Sequence, residues 1–362
     1  MKAIFTCDQQ GVEARGKGPL GSAARQIRRG FRPRFAAPLL PAKAASAFTI
    51  LELMVASAVL LLMLGVVLST ISQTSTVTRQ ATSKISAFQG ARAAFDLMTE
   101  NLGQATLNSY WDYDDPNAPT KYLRKSELHF LIGNAGSSPF GGTPGTGQAV
   151  YFQAPAGVTT EYDGLESLLD AVGYFVSYGN DDALPSPFPP SEKFRYRLMQ
   201  AIQPAEDLGV YSDTTGDDWA LNVEQSAVPL AENIFYMVAW PRKAPTEDAQ
   251  GDGLTSAYAY DSRSGAASLP KDPITGQAIT QHQMPPMVQI SIFAMDETSA
   301  ARVCTGSTAP TDVSSAFSGL FQNSNQDDFD ADILEATSRL GAKHINFRIF
   351  TAIVPIRESK MQ

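Results

Sequence analysis

Between residues 48 and 68 the only charge is Glu52, and none follows until Arg79. At about 1.5 Å of rise per residue those 21 residues make roughly 30 Å of helix, the thickness of a bilayer's hydrocarbon core. A helix buried in a protein core rarely needs to be apolar on every face, so the run predicts a membrane-spanning segment. Residues 42–115 also contain none of the 23 prolines. An interior proline costs a helix about 3 kcal/mol, so its absence predicts one long helix continuing past the apolar run. Beyond residue 70 the pattern turns amphipathic. Ile85, Phe88, Ala91, Phe95, Met98, Leu102 and Ala105 recur at intervals of three and four, a single apolar stripe. Its shortness and its alanines favour packing on the chain's own body over a free coiled coil.

From Tyr110 onward the texture changes to short strand-like segments separated by Gly, Pro and Asp. Strands are expected over 127–132, 148–153, 172–178, 194–202, 234–240, 287–295 and 344–354. In the last, Ile345, Phe347, Ile349 and Ile353 alternate with Asn346 and Arg348, as in a half-buried strand. Residues 328–340 read as one short helix with an acidic start, and 241–286 as a long Pro/Gly-rich excursion. The expected fold class is α+β: a long N-terminal helix, membrane-spanning in its first half, packed through its second half on an antiparallel β-sheet domain.

Charge divides the chain. Residues 1–47 carry nine Lys/Arg against Asp8 and Glu13, whereas the remainder holds 19 basic and 35 acidic residues. A basic head before an apolar helix is expected to stay in the cytoplasm, with the body on the other side. The acidic body argues against nucleic acid as a partner, since phosphate binding needs a basic face. Three regions follow: a basic leader over 1–47, the long helix over 48–108, and a β-rich extracytoplasmic domain over 109–362. Of the two cysteines, Cys7 lies in the head and Cys304 in the body. Removing the head leaves no intramolecular disulfide to form, and Cys304 is expected to be a structural or incidental thiol rather than a reactive one.

Chemistry concentrates where the head meets the helix, at Ser46-Ala47-Phe48-Thr49-Ile50-Leu51-Glu52. A secretory signal places its apolar stretch before the cut. Here the small residues Ala45-Ser46-Ala47 precede the apolar stretch. Cleavage between Ala47 and Phe48 would remove the charged head and leave the helix attached. A carboxylate within an apolar span costs at least a few kcal/mol unless paired. With Phe48 as first residue, the new α-amino group lies four residues before Glu52. In a filament of packed helices, one subunit's ammonium could then neutralise the next subunit's Glu52. Position alone fits snorkelling of Glu52 to the membrane edge equally well, and the cleavage context favours the pairing.

Phe48-Thr49-Ile50-Leu51-Glu52 followed by an apolar run resembles the cleavage and methylation segment of type IV pilins and type II secretion pseudopilins. The family pattern is Gly, then Phe-Thr-Leu-any-Glu, so Ala47 stands where the family has Gly and the leader is long. Segments 73–75, 83–95, 104–113, 171–176, 229–234 and 284–290 resemble the Verru_Chthon cassette protein C family of pilin-like proteins, over most of residues 48–356. Leu230-Ala231-Glu232-Asn233 with Pro285-Pro286-Met287-Val288 is also similar to J-type minor pseudopilins. The resemblance implies a prepilin peptidase acting at Ala47 and Phe48, N-methylation of Phe48, and a prepilin motif comprising Thr49, Ile50 and Leu51. It further implies filament assembly through Glu52, other pilin-like subunits as partners, and anchorage in a bacterial inner membrane with the C-terminal domain in the periplasm.

Rival functions leave weaker traces. An anchored hydrolase would need catalytic groups, but His129, His282 and His344 are the only histidines, and no nucleophile elbow, His-Glu-x-x-His, Walker loop or Cys-x-x-Cys occurs. The carboxylate pairs Asp114-Asp115 and Asp181-Asp182 sit in turn-like runs. No enzyme and no cofactor are expected. Calcium is the one metal considered, at Asn323-Ser324-Asn325-Gln326-Asp327-Asp328-Phe329-Asp330, which offers oxygen ligands but lacks the glycine and glutamate spacing of an EF-hand loop. Capping of the following helix explains that run equally. A pilin-like adhesin is the other alternative, with Trp111, Tyr113, Tyr258 and Tyr260 as aromatic loop residues.

Overall fold

The computed structural model describes residues 49–136, 146–161, 167–180, 193–213, 216, 218–244, 246, 253–265 and 269–360. Side chains of residues 79–80 and 83–87 lie outside that description, Ile85 of the expected stripe among them. In chain order the elements are helix α1 (Ile50–Gly103), strands β1 (Tyr110–Tyr113), β2 (Tyr122–Lys125), β3 (Leu131–Asn134), β4 (Gln148–Ala154), β5 (Asp170–Gly179) and β6 (Arg195–Gln203). Then follow α2 (Asp218–Glu224), β7 (Val228–Glu232), β8 (Ile234–Arg242), β9 (Tyr260–Asp261), β10 (Met287–Met295), α3 (Glu297–Val303), α4 (Thr311–Phe317), α5 (Gln326–Ala342) and β11 (Phe347–Pro355). The chain forms two compact units, Met1–Gly65 and Val66–Gln362.

The first unit is described only from Thr49, as the opening turns of α1. Every one of these residues is exposed, including Leu51 at 73% and Leu60 at 64%. The stretch Ile50–Thr78 is long and apolar enough to cross a membrane, and none of its most apolar window is buried. Four of its hydroxyls bond back to the helix's own carbonyls. Ser57 donates to the Met54 carbonyl, and Thr70, Thr76 and Thr78 donate to Val66, Ser72 and Thr74. Back-bonded hydroxyls carry little desolvation cost into an apolar environment.

In the second unit the stripe performs as its spacing predicts. Ala91, Phe95, Met98, Leu102 and Ala105 are buried and Phe88 is half-buried. Phe95 packs against Phe350 of β11, and Asn101 donates to the Tyr174 hydroxyl of β5 at 2.7 Å. The sheet beneath is not single. Six antiparallel strands run in the order β7-β6-β5-β4-β3-β9, and three more in the order β11-β10-β8. Gly147 joins the two through a parallel bridge to Met237. Its φ of +86° and the 2.3 Å that would separate a Cβ from the Met237 carbonyl oxygen make glycine obligatory there.

Five of the seven expected strands lie within or nearly coincide with observed ones. The other two are displaced. The strand expected from 127 starts at Leu131, and the one expected from 344 starts at Phe347. His344 belongs instead to the end of α5, with φ of 56°. Its N–H bonds the Gly341 carbonyl while Ile345 N–H bonds Leu340, the Schellman closure, with Leu340 and Ile345 both buried. The excursion over 241–286 carries β9, which extends the six-stranded sheet. Three helices of seven residues, α2, α3 and α4, have too few turns to show a period.

Candidate functional site

The segment Thr49-Ile50-Leu51-Glu52 opens α1, while Ala47 and Phe48, with the leader 1–47, lie outside the described residues. Thr49 Oγ1 accepts the backbone N–H of Glu52 at 3.2 Å, and Leu53 N–H bonds the Thr49 carbonyl at 3.2 Å. Thr49 is therefore the N-cap and Glu52 the third helical residue, the spacing of a capping box. Two motif residues thus gain a local capping role that the Thr-x-x-Glu spacing itself signals. Glu52 sits in the first helical turn, where backbone N–H groups point toward it and the helix dipole favours a negative charge. Ile50 and Leu51 are exposed, at 82% and 73%. The site is a charged carboxylate at the mouth of an apolar rod.

The remaining candidate chemistry resolves into structural networks. His129 is fully buried just before β3. Trp219 of α2 donates its indole N–H to Nδ1 at 3.0 Å, leaving Nε2 to carry the proton toward Asp261, 2.8 Å away. Burial pushes the Asp261 carboxyl up, but hydrogen bonds from His129 and Ser264 outweigh it and hold the group well below the usual carboxylate range. Ser264 Oγ bonds Asp261 at 2.6 Å. Serine, histidine and aspartate meet here, yet the hydroxyl faces the acid rather than the base, which does not activate it. His282 is held near φ of 55°, and burial together with Arg124 and Arg263 lowers its pKa to about 4. Cys304 is a free, buried thiol that burial pushes up to about 11, away from reactive thiolate chemistry.

The oxygen-rich run before α5 acts as a cap. Asn325 Oδ1 accepts the Asp328 N–H at 2.8 Å, and Asn325 Nδ2 donates to Asp328 Oδ2 at 2.8 Å. Asp330 accepts from Gln326 at 3.0 Å. Among the described residues no group of three or more His, Cys, Asp or Glu converges on a point where a metal ion would sit. Asp114 is likewise occupied, accepting from Thr120, Lys121 and Asp115 in the β1–β2 turn, and Asp181-Asp182 lie outside the described residues.

The four aromatic residues expected in loops divide. Tyr258 and Tyr260 are core, at 3% and 2% exposure. Trp111 and Tyr113 stand on β1, at 60% and 42%, joined by Tyr122 of β2 at 55%. The hairpin went unrecognised in the sequence because its strands are four residues long and carry Asp, Lys and Arg. No known family model matches the chain, nor does any curated protein or solved structure.

Proposed function

We propose that this chain is a structural subunit, a minor pseudopilin, of a filament of the type II secretion or type IV pilus kind. The α+β architecture, with an apolar N-terminal helix followed by an antiparallel sheet domain, is compatible with a pilin-like fold. In this reading a prepilin peptidase cuts between Ala47 and Phe48, Phe48 is N-methylated, and Ile50–Thr78 holds the protein in the inner membrane until assembly. The body then lies in the periplasm, and neighbouring pilin-like subunits are its partners. It is not an enzyme and carries no cofactor.

One observation carries the reading: Glu52 stands in the first turn of α1 and is the only charge in its exposed apolar stretch Ile50–Thr78. A carboxylate there costs several kcal/mol in an apolar assembly unless a cation meets it. The α-amino group of a chain beginning at Phe48 is the cation that processing would create, and helix-to-helix packing would bring it to a neighbour's Glu52. The test is mass spectrometry of the protein from the membrane fraction of cells expressing the full chain. The expected terminus is Phe48, methylated. A stable protein retaining Met1, or one cut beyond Leu68, overturns the proposal.

A further inference from the structure

The hairpin formed by β1 and β2 places Tyr113 opposite Tyr122 and Trp111 opposite Arg124. Residues opposite one another in an antiparallel pair share a face, as do residues two apart along a strand. Trp111, Tyr113 and Tyr122 therefore stand on one face of the ribbon, above Arg124. The two tyrosine rings stack with centroids 4.8 Å apart, their hydroxyls 3.1 Å from each other. The guanidinium of Arg124 lies over the Trp111 ring at 5.9 Å. Large aromatic side chains at 60%, 55% and 42% exposure on one small surface are unusual for a soluble domain.

The ribbon is tied to the segment 275–281. Arg124 donates to the carbonyls of Gln281, Ile279 and Ala278, and its backbone N–H and C=O both pair with the Gln277 side chain. Lys121 donates to the Thr275 carbonyl. The rings thus sit on a ribbon whose ordering cost is met by folding, so a ligand need not supply it.

The charges around the rings are already satisfied. Arg124 is taken by carbonyls, Lys125 by Asp112 at 2.8 Å, and Asp114 by the turn it caps. What remains on offer is flat π-surface edged by phenolic hydroxyls. That combination suits a neutral ligand with an apolar face and hydroxyl rims, and gives an anionic lipid, nucleic acid or charged peptide nothing to pair with. We propose that the Trp111–Tyr113–Tyr122 face binds neutral saccharide. The inference is independent of filament assembly.

The full chain supplies its own reporter, because Trp219 and Trp240 are completely buried while Trp111 is exposed. In a detergent without a sugar headgroup, the protein is titrated with cellohexaose, xylohexaose and laminarihexaose, and with polygalacturonate as an acidic counterpart. Tryptophan emission is followed throughout. A saturable blue shift with at least one neutral oligosaccharide is expected, and none with polygalacturonate. Trp111→Ala should abolish the shift, and Tyr122→Ala should weaken binding, read by calorimetry, about tenfold. Both variants should keep the wild-type circular dichroism and melting temperature, since neither side chain is buried. Absence of binding to all three neutral sugars overturns the proposal. So does binding that survives Trp111→Ala by calorimetry, or a face whose variants lose a protein partner without any sugar affinity to lose.

Discussion

Thr49 Oγ1 accepts the backbone N–H of Glu52 at 3.2 Å, so the residue that starts the helix and the residue proposed to join subunits are locally bonded. This relationship separates two roles of the same segment. Glutamine serves as well as glutamate at the third position of a capping box. Glu52→Gln should therefore leave the helix start and membrane insertion intact while removing the charge that would meet a neighbour's terminus. Thr49→Ala should do the reverse, at about 1 kcal/mol of local helix stability. Co-purification and crosslinking with partner prepilins should fall sharply for Glu52→Gln and little for Thr49→Ala. Equal behaviour of the two variants would mean that capping, not pairing, is what Glu52 provides.

Removal of residues 1–70 should give a soluble, folded monomer. Among the described residues, every side chain of 49–70 is exposed and the buried positions of α1 are Ala91 and beyond, so the deletion takes away no described core side chain. Size-exclusion chromatography without detergent should show a single monomeric species with cooperative thermal unfolding. Aggregation of the truncated protein, beside full-length protein that stays soluble without detergent, would contradict the membrane anchor.

His282 makes stability depend on pH in a defined direction. Its folded-state value of about 4 lies below the ordinary value near 6.5. The unfolded chain therefore takes up the proton first, and the stabilisation present above about pH 6.5 is lost as pH falls toward 4. Partial exposure limits the effect to less than about 1 kcal/mol, or a melting-temperature loss of about 2–3 °C. Between pH 7 and 5.5 the wild type should lose more than His282→Asn, which tolerates the left-handed backbone but does not titrate. Identical slopes would show that His282 is not responsible.

His344 closes α5 in the left-handed region that glycine occupies without strain. His344→Gly should raise stability by about 0.5–1 kcal/mol, and His344→Val should lower it by more. Chemical denaturation at pH 7 measures both. A destabilised glycine variant would indicate that the imidazole itself contributes packing.

The apolar run over 48–68 and the absence of proline over 42–115 are local properties, and each is legible because it repeats over many residues. The stripe at Ala91, Phe95, Met98 and Leu102 is legible for the same reason, and α5, expected at 328–340, is observed at Gln326–Ala342. Other features arise from few residues or from distant ones. The alternating run that follows His344 predicts a strand beginning there, whereas closure of the preceding helix claims the residue. Tyr258 and Tyr260 have the polar, glycine-bearing neighbours of a loop, and only the strands and helices around them make them core.

By itself the sequence determined the long helix, the amphipathic stripe and most of the strands, because periodicity and charge act between residues close in the chain. Tertiary structure decided the division into a six-stranded sheet, a three-stranded sheet and the β1–β2 ribbon, the pairing of His129 with Trp219 and Asp261, and the exposure of Trp111, Tyr113 and Tyr122 on one face. Each of these depends on partners brought together by long-range packing. Trp219 stands 90 positions beyond His129, and Arg124 is fixed by carbonyls some 155 positions away. Side-chain burial and hydrogen bonding at such separations follow from strand order and register, which local propensity does not encode.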